Sequence, residues 1–233
     1  MAVNIADSVK VISFDLDDTL WSGPQVILHA EQVMLNWMQQ HTPKVLNALD
    51  QNQLRQRKIE FIKSNPQFAH KVSAAREHFL QSLFHEFEYP QAKALAQQCF
   101  AAFYQARQQV ELFEAVLPTL ETLKQKYRLI AITNGNADIA LTGLDHVFEF
   151  CLQGEDFDKP KPHPQIFEHA LSRLDVPAHE VLHVGDHPVQ DMLGAYEAGL
   201  QTCWLDDGSR NWNQKFEPNF VIKTIQELTK NIK

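Results

Sequence analysis

Between residues 9 and 14 the chain carries a short, mostly apolar, β-branched run that stops abruptly at Asp15-Leu16-Asp17-Asp18-Thr19. Such a run fits a strand buried on both faces, which calls for parallel neighbours with helices on either side. Those neighbours are remote in sequence. From about residue 22 to 112 the character is helical: Ser22 offers a cap, Gln25 follows three residues on, and Val26, Ala30, Val33 and Trp37 recur at helical steps. Pro43, Pro66 and Pro90 punctuate further apolar sets, which read as about four helices. Alternation resumes after Pro118, with a helix over 119–127, a strand over 128–134 and a helix near 164–174. A strand over 181–184, a helix near 189–198 and a strand over 201–205 complete it. This order predicts an α/β fold, a doubly wound parallel sheet formed by residues 1–21 and 113–233. Residues 22–112 are then an inserted all-helical cap.

The 233 residues include 21 Lys plus Arg against 29 Asp plus Glu, a net charge of -8. An acidic chain without a long basic run argues against nucleic acid or an anionic membrane as partner, because phosphate contacts need clustered cations. The short basic stretch 53–58 reads as a solvated helix face. No apolar run approaches the ~18 residues that span a bilayer, and the first ten residues lack a secretory pattern. A cytosolic protein, monomeric or weakly dimeric, with small-molecule partners is expected. Cys99, Cys151 and Cys203 are odd in number and widely spaced among apolar residues, so reduced buried thiols are expected rather than disulfides or a zinc site.

Open parallel sheets bind ligands beyond the carboxyl ends of their strands. Those ends carry Asp15 and Asp17 after the first strand, Thr133, Asn134 and Gly135 after the second, and Gly185 and Asp186 after the third, with Asp191 five residues on. Lysines lie in the extended Pro-rich loop Lys159-Pro160-Lys161-Pro162. Two like charges about 4 Å apart cost ~4 kcal/mol at an effective dielectric near 20, so up to four carboxylates in one crevice need compensation. A lysine and a divalent cation supply it, and an all-oxygen donor set with room for water and phosphate favours Mg²⁺.

Four ordered segments carry a resemblance: Phe14-Asp15-Leu16-Asp17-Asp18-Thr19-Leu20, Thr133-Asn134-Gly135, Lys161-Pro162-His163-Pro164-Gln165-Ile166-Phe167 and Gly185-Asp186-His187-Pro188-Val189-Gln190-Asp191. Their order and spacing resemble the four motifs of the haloacid dehalogenase-like hydrolase superfamily. The resemblance implies a Rossmann-like core with a helical cap inserted after the first strand. It implies Asp15 as the nucleophile that forms an aspartyl-phosphate, Asp17 as general acid/base, and Lys161 as the group that stabilises phosphoryl charge. Mg²⁺ would be held by Asp15, Asp186 and the Asp17 backbone carbonyl. Thr133 and Asn134 would contact phosphate, and Asp191 would orient Lys161 or a metal-bound water. Lys159 also satisfies Lys-Pro-x-Pro, and Lys161 is preferred because Gln165-Ile166-Phe167 follows at the family's spacing. Relatives that displace halide lack an aspartate at the position of Asp17, so Asp17 points to phosphate.

The expected activity is Mg²⁺-dependent hydrolysis of a small phosphorylated metabolite. The flanks of the first motif resemble a bacterial subgroup acting on flavin mononucleotide and a phosphorylated ribitylamino-uracil. A sugar-phosphate mutase and a non-catalytic phospho-acceptor are the alternatives. Asp18 is expected to face solvent, His183 and His187 to serve packing or surface roles, and Trp21 either to line a substrate cleft or to pack at a hinge.

Overall fold

The computed structural model describes residues 8–229. The chain divides into two compact units, one running to Gly23 and resuming at Glu111, the other comprising Pro24–Val110. In the first unit six strands form one all-parallel sheet: β1 (Val11–Phe14), β2 (Arg128–Thr133), β3 (Cys151–Gln153), β4 (Val181–Gly185), β5 (Gln201–Leu205) and β6 (Phe220–Ile222). Their order across the sheet is β3-β2-β1-β4-β5-β6. This is the Rossmann-like α/β arrangement. Every residue of β1 and β4 is buried, as their mostly apolar character requires of central parallel strands.

The order reverses between β1 and β4, where a doubly wound sheet opens a crevice at its carboxyl edge. Register fixes what meets there. Phe14 lies beside Ala131 on one side and Val184 on the other, and the Asp15 N–H donates to the Val184 carbonyl at 2.9 Å. Asp15 and Asp186 therefore emerge side by side.

The helical unit contains α1 (Gly23–His41), α2 (Pro43–Ala48), α3 (Gln51–Ser64), α4 (Val72–Glu86) and α5 (Ala92–Arg107). Its core gathers Met38, Val45, Leu54, Phe79, Leu80, Leu83, Phe84 and Cys99. Asp50 and Gln53 close a reciprocal capping box at the start of α3. The basic stretch is not merely a solvated face: Lys58 reaches Glu31 at 3.0 Å and Arg57 reaches Glu86 at 2.6 Å.

In the sheet unit α6 (Val116–Lys124), α7 (Gln165–Leu174) and α8 (Gly194–Glu197) accompany the strands. Ile166, Phe167, Ala170 and Leu174 of α7 pack with Val11, Ile130, Ile132 and Val181. Three elements differ from expectation. β3 and β6 are three-residue edge strands, too short and too partly exposed to leave an alternating pattern. The segment Pro188–Leu193, expected as ordinary helix, is a π-helical turn in which the Met192 N–H reaches the His187 carbonyl at 3.2 Å. All three cysteines are free, Cys99 and Cys203 buried and Cys151 partly so. Among the described residues no helix is long and apolar enough to cross a membrane.

Close approach explains Gly194 at the start of α8. A Cβ there would lie 2.6 Å from the Pro162 carbonyl oxygen and 2.8 Å from the Phe167 ring. In an open helix Gly→Ala gains ~1 kcal/mol. Here Gly194→Ala is expected to lose ~1–3 kcal/mol through overpacking, read as a lower urea midpoint at unchanged slope.

Candidate active site

The centre of the crevice is a buried ammonium group. Lys161 Nζ donates to Asp15 Oδ1 at 2.7 Å, to Asp191 Oδ1 at 2.6 Å and to the Ile132 carbonyl at 2.8 Å. All three of its protons are thereby used, as burial of a charge demands. Lys159, the alternative motif lysine, is exposed. The Asn134 side chain holds the Lys161 main chain in both directions, its amide donating to the Lys161 carbonyl at 2.8 Å and its oxygen accepting the Lys161 N–H at 3.0 Å. The Asn134 side chain thus anchors the lysine loop. Thr133 is buried, and its hydroxyl accepts the Gly135 N–H at 2.9 Å, which shapes the turn leaving β2.

Asp191 is fixed from both sides. Its Oδ1 meets Lys161 and, at 3.4 Å, His183 Nε2, while Oδ2 accepts the His187 N–H at 2.9 Å. The π-helical turn turns this carboxylate into the site. Gly185 makes room for it, since a Cβ there would sit 2.4 Å from the Asp191 carboxyl carbon. His187 caps the turn, its Nδ1 accepting the N–H groups of Val189 and Gln190 at 3.1 and 3.2 Å.

Asp15, Asp186 and Asp191 are buried and each offers a carboxylate oxygen within 4.8 Å of the others. Three hard oxygen donors at this spacing fit a divalent cation of the Mg²⁺ type. Both Asp191 oxygens accept bonds at 2.9 Å or less, from Lys161 and the His187 N–H, whereas Asp15 Oδ2 accepts only a long 3.4 Å bond from the Thr19 hydroxyl. Burial pushes the Asp15 carboxyl well above its ordinary range, with Lys161 opposing and Asp191 and Asp186 adding to the rise. Asp191, although equally buried, is held well below the usual range by Lys161 and His183. Burial works against the Lys161 charge, yet Asp15 and Asp191 carry its pKa above that of an ordinary lysine. Burial and then Asp191 push Asp186 up to about 6.

Two residues of this shell were missed in the sequence. His183, on β4, is wholly buried, and burial keeps it neutral. A carboxylate only accepts, so Nε2 carries the proton shared with Asp191, and Nδ1 accepts the Ser13 hydroxyl at 2.8 Å. A polar pair at one height in two otherwise apolar strands was the available signal. Arg210 Nε donates to Asp186 Oδ2 at 2.8 Å, and its terminal nitrogen lies 3.8 Å from Asp18 Oδ2. It comes from an irregular loop after β5 that carries no local signature.

The loop after β1 differs from expectation as well. Asp18 does not simply face solvent: it is half-buried at φ 62°, and its Oδ1 accepts the Gly23 N–H at 2.9 Å. Trp21 is 0% exposed, so no ring face is left for stacking on a substrate, and the cleft reading of this residue is wrong. Its indole N–H instead donates to Asp17 Oδ1 at 2.9 Å.

Buried carboxylates around a lysine at the switch point of a parallel sheet, with oxygen donors that fit a divalent cation, make this crevice the candidate active site. The haloacid dehalogenase-like hydrolase family model matches residues 9–199. The chain belongs to this family and is an enzyme of its phosphatase type. It is 30% identical over 227 residues, 95% of each protein, to the 5-amino-6-(5-phospho-D-ribitylamino)uracil phosphatase YigB of Escherichia coli strain K12. It is 27% identical over 231 residues, 94% of this chain and 95% of the other, to the glyceraldehyde 3-phosphate phosphatase of Methanopyrus kandleri. Among solved structures it resembles a 2-haloacid dehalogenase from Pseudomonas syringae pv. Tomato DC3000, with TM-score 0.89, 35% identity and coverage of 95% and 97%.

The raised Asp186 pKa has a definite sign. A carboxyl whose folded pKa exceeds its unfolded value contributes stability below about 3.9, which is lost as pH rises through about 6. In chelator-treated protein Asp186→Asn is therefore expected to melt higher than the parent at pH 7.5, the gap closing towards pH 4. The parent's rise in Tm on adding Mg²⁺ should be absent from the variant, and scanning calorimetry with and without Mg²⁺ reads both effects.

Proposed function

We propose that the chain is a Mg²⁺-dependent phosphomonoesterase working through an aspartyl-phosphate on Asp15, with a primary-alcohol phosphate as its substrate class. The observation carrying this reading is the cluster of buried Asp15, Asp186 and Asp191, two of which, Asp15 and Asp191, share the buried Lys161 ammonium.

Asp15 attacks phosphorus through a carboxylate oxygen. The ester P–O bond breaks, its electron pair leaves on the alcohol oxygen, and Asp17 gives that oxygen a proton. Asp17, now a carboxylate, takes a proton from water, whose oxygen attacks the phosphorus. The bond to Asp15 then breaks, freeing inorganic phosphate and restoring both residues. The Asp15 and Asp186 carboxylates and the Asp17 backbone carbonyl would hold Mg²⁺, which would supply positive charge to offset that of the phosphoryl group. Lys161 keeps Asp15 charged and oriented and meets phosphoryl charge during transfer, while Asp191, His183 and Asn134 hold Lys161 in place. Thr133 and the N–H groups of its turn bind the phosphoryl oxygens.

Asp17 favours phosphate over halide despite the dehalogenase among the structural relatives. A departing halide needs no proton, whereas an alkoxide does. The likeness to the ribitylamino-uracil phosphatase spans nearly the whole chain, and that compound and glyceraldehyde 3-phosphate both carry phosphate on a primary alcohol. A ribityl or flavin 5′-phosphate is accordingly the leading substrate.

Phosphate release from p-nitrophenyl phosphate should require Mg²⁺ and fall by about 10³-fold or more in Asp15→Asn. A panel with flavin mononucleotide, the phosphorylated ribitylamino-uracil and glyceraldehyde 3-phosphate should then yield free phosphate. Absence of Mg²⁺-dependent release would refute the phosphatase reading, and an isomerised product with little phosphate would point to a mutase.

A further inference from the structure

The basic stretch of α3 takes part in a charge cluster of the helical unit that the proposed reaction does not use. Lys58 Nζ donates to Glu31 Oε1 at 3.0 Å, a terminal nitrogen of Arg76 lies 3.6 Å from the same oxygen, and one of Arg55 lies 3.8 Å from Oε2. Three cations from α3 and α4 thus surround a single carboxylate of α1. The Lys58 and Arg76 side chains are mostly buried, 24% and 13% exposed, whereas Arg55 stands in solvent. All four residues line a pocket of about 70 Å³ whose other walls are largely apolar, with Met38, Leu54, Phe79, Leu80 and Leu83 among them.

Arg76 is the least satisfied member. Its guanidinium lies over the Phe103 ring, 3.6 Å from the centroid, which fixes its plane. Among the described residues its one hydrogen-bond acceptor is the Met34 sulfur at 4.0 Å, a weak one, and the Glu31 oxygen at 3.6 Å is too far to accept. A guanidinium carries five N–H donors, and donors left unmet away from water are costly. Burial, and then the charge of Arg76, push the Lys58 pKa down, which is the mark of crowded like charge.

We propose that this pocket binds a small carboxylate with a short apolar tail. The mostly buried pair Lys58 and Arg76 exceeds Glu31 by one positive charge, which a monoanion cancels. A carboxylate accepts two parallel N–H···O bonds from a guanidinium fork, supplying the oxygens that Arg76 lacks, while Glu31 keeps its bond to Lys58. The tail lies against the leucine, methionine and phenylalanine wall, and a few polar groups set in an apolar lining are what small-molecule sites share. With a water taking ~30 Å³, the volume suits a tail of a few carbons. Every residue of the site belongs to Pro24–Val110, so the proposal stands apart from the chemistry assigned to Asp15.

The probe is hexanoate, titrated into the isotope-labelled full chain and followed by heteronuclear NMR. Saturable shifts should fall on α1, α3 and α4. Hexanol, alike in length but uncharged, should bind about tenfold more weakly or worse, and hexylamine should produce none of these shifts. Arg76→Gln should weaken hexanoate about tenfold or more. If that variant does not fold, Lys58→Gln, which keeps a donor for Glu31, should show the same loss. Shifts that scatter over the chain or do not saturate, equal binding of hexanol, or an unchanged hexanoate affinity in the folded variant would each overturn the site.

Discussion

The chemistry of this molecule depends on one buried cation. Lys161 uses its three protons on Asp15, Asp191 and the Ile132 carbonyl, so its position is a consequence of three separate elements agreeing: the end of β1, the π-helical turn after β4, and the last residues of β2. Removing one partner of a buried ion pair strands the other charge, at ~3–5 kcal/mol. The cluster is consequently self-consistent rather than incremental. Asn134 fixes the lysine loop from behind, and His183 with the His187 N–H fixes Asp191. The protein commits several buried polar groups to holding one ammonium, as the proposed contact with phosphoryl charge would require.

What the sequence made legible follows from range. The alternation of strands and helices gave the α/β class and the parallel sheet, because central strands buried on both faces need long apolar runs that are visible locally. The strand-end aspartates were legible for a related reason, since they interrupt those runs at the edge where an open sheet can bind, whereas Lys161, in a Pro-rich loop, was legible only through its motif. The three-residue edge strands β3 and β6 were not, since pairing along one side leaves little compositional trace. The π-helical turn was read as ordinary helix because one extra residue in a single turn does not alter an apolar periodicity.

Side-chain direction is what the sequence left open. The Asn134 amide faces the lysine loop 27 residues on, a contact without a local pattern. Trp21 was open between lining a cleft and packing at a hinge, and its burial accords with packing. Arg210 lies outside all four motifs and reaches Asp186 across 24 residues of chain. Ser13 and His183 are register partners on neighbouring strands, so their pairing becomes visible only once the strand order is known.

Charge balance links these details to the proposed metal dependence. Around the crevice Asp15, Asp186 and Asp191 face Lys161 and Arg210, three negative groups against two positive ones, before the half-buried Asp17 and Asp18 are considered. The imbalance falls unevenly. Lys161 satisfies Asp191 fully and Asp15 in part, and Arg210, itself partly exposed, only partly offsets the burial of Asp186. The two carboxylates left under-compensated are the pair set side by side by the register of β1 and β4. A divalent cation held by Asp15 and Asp186, as proposed, would remove the cost where it is greatest, and would tie the acidic excess of the chain to the sheet's own geometry.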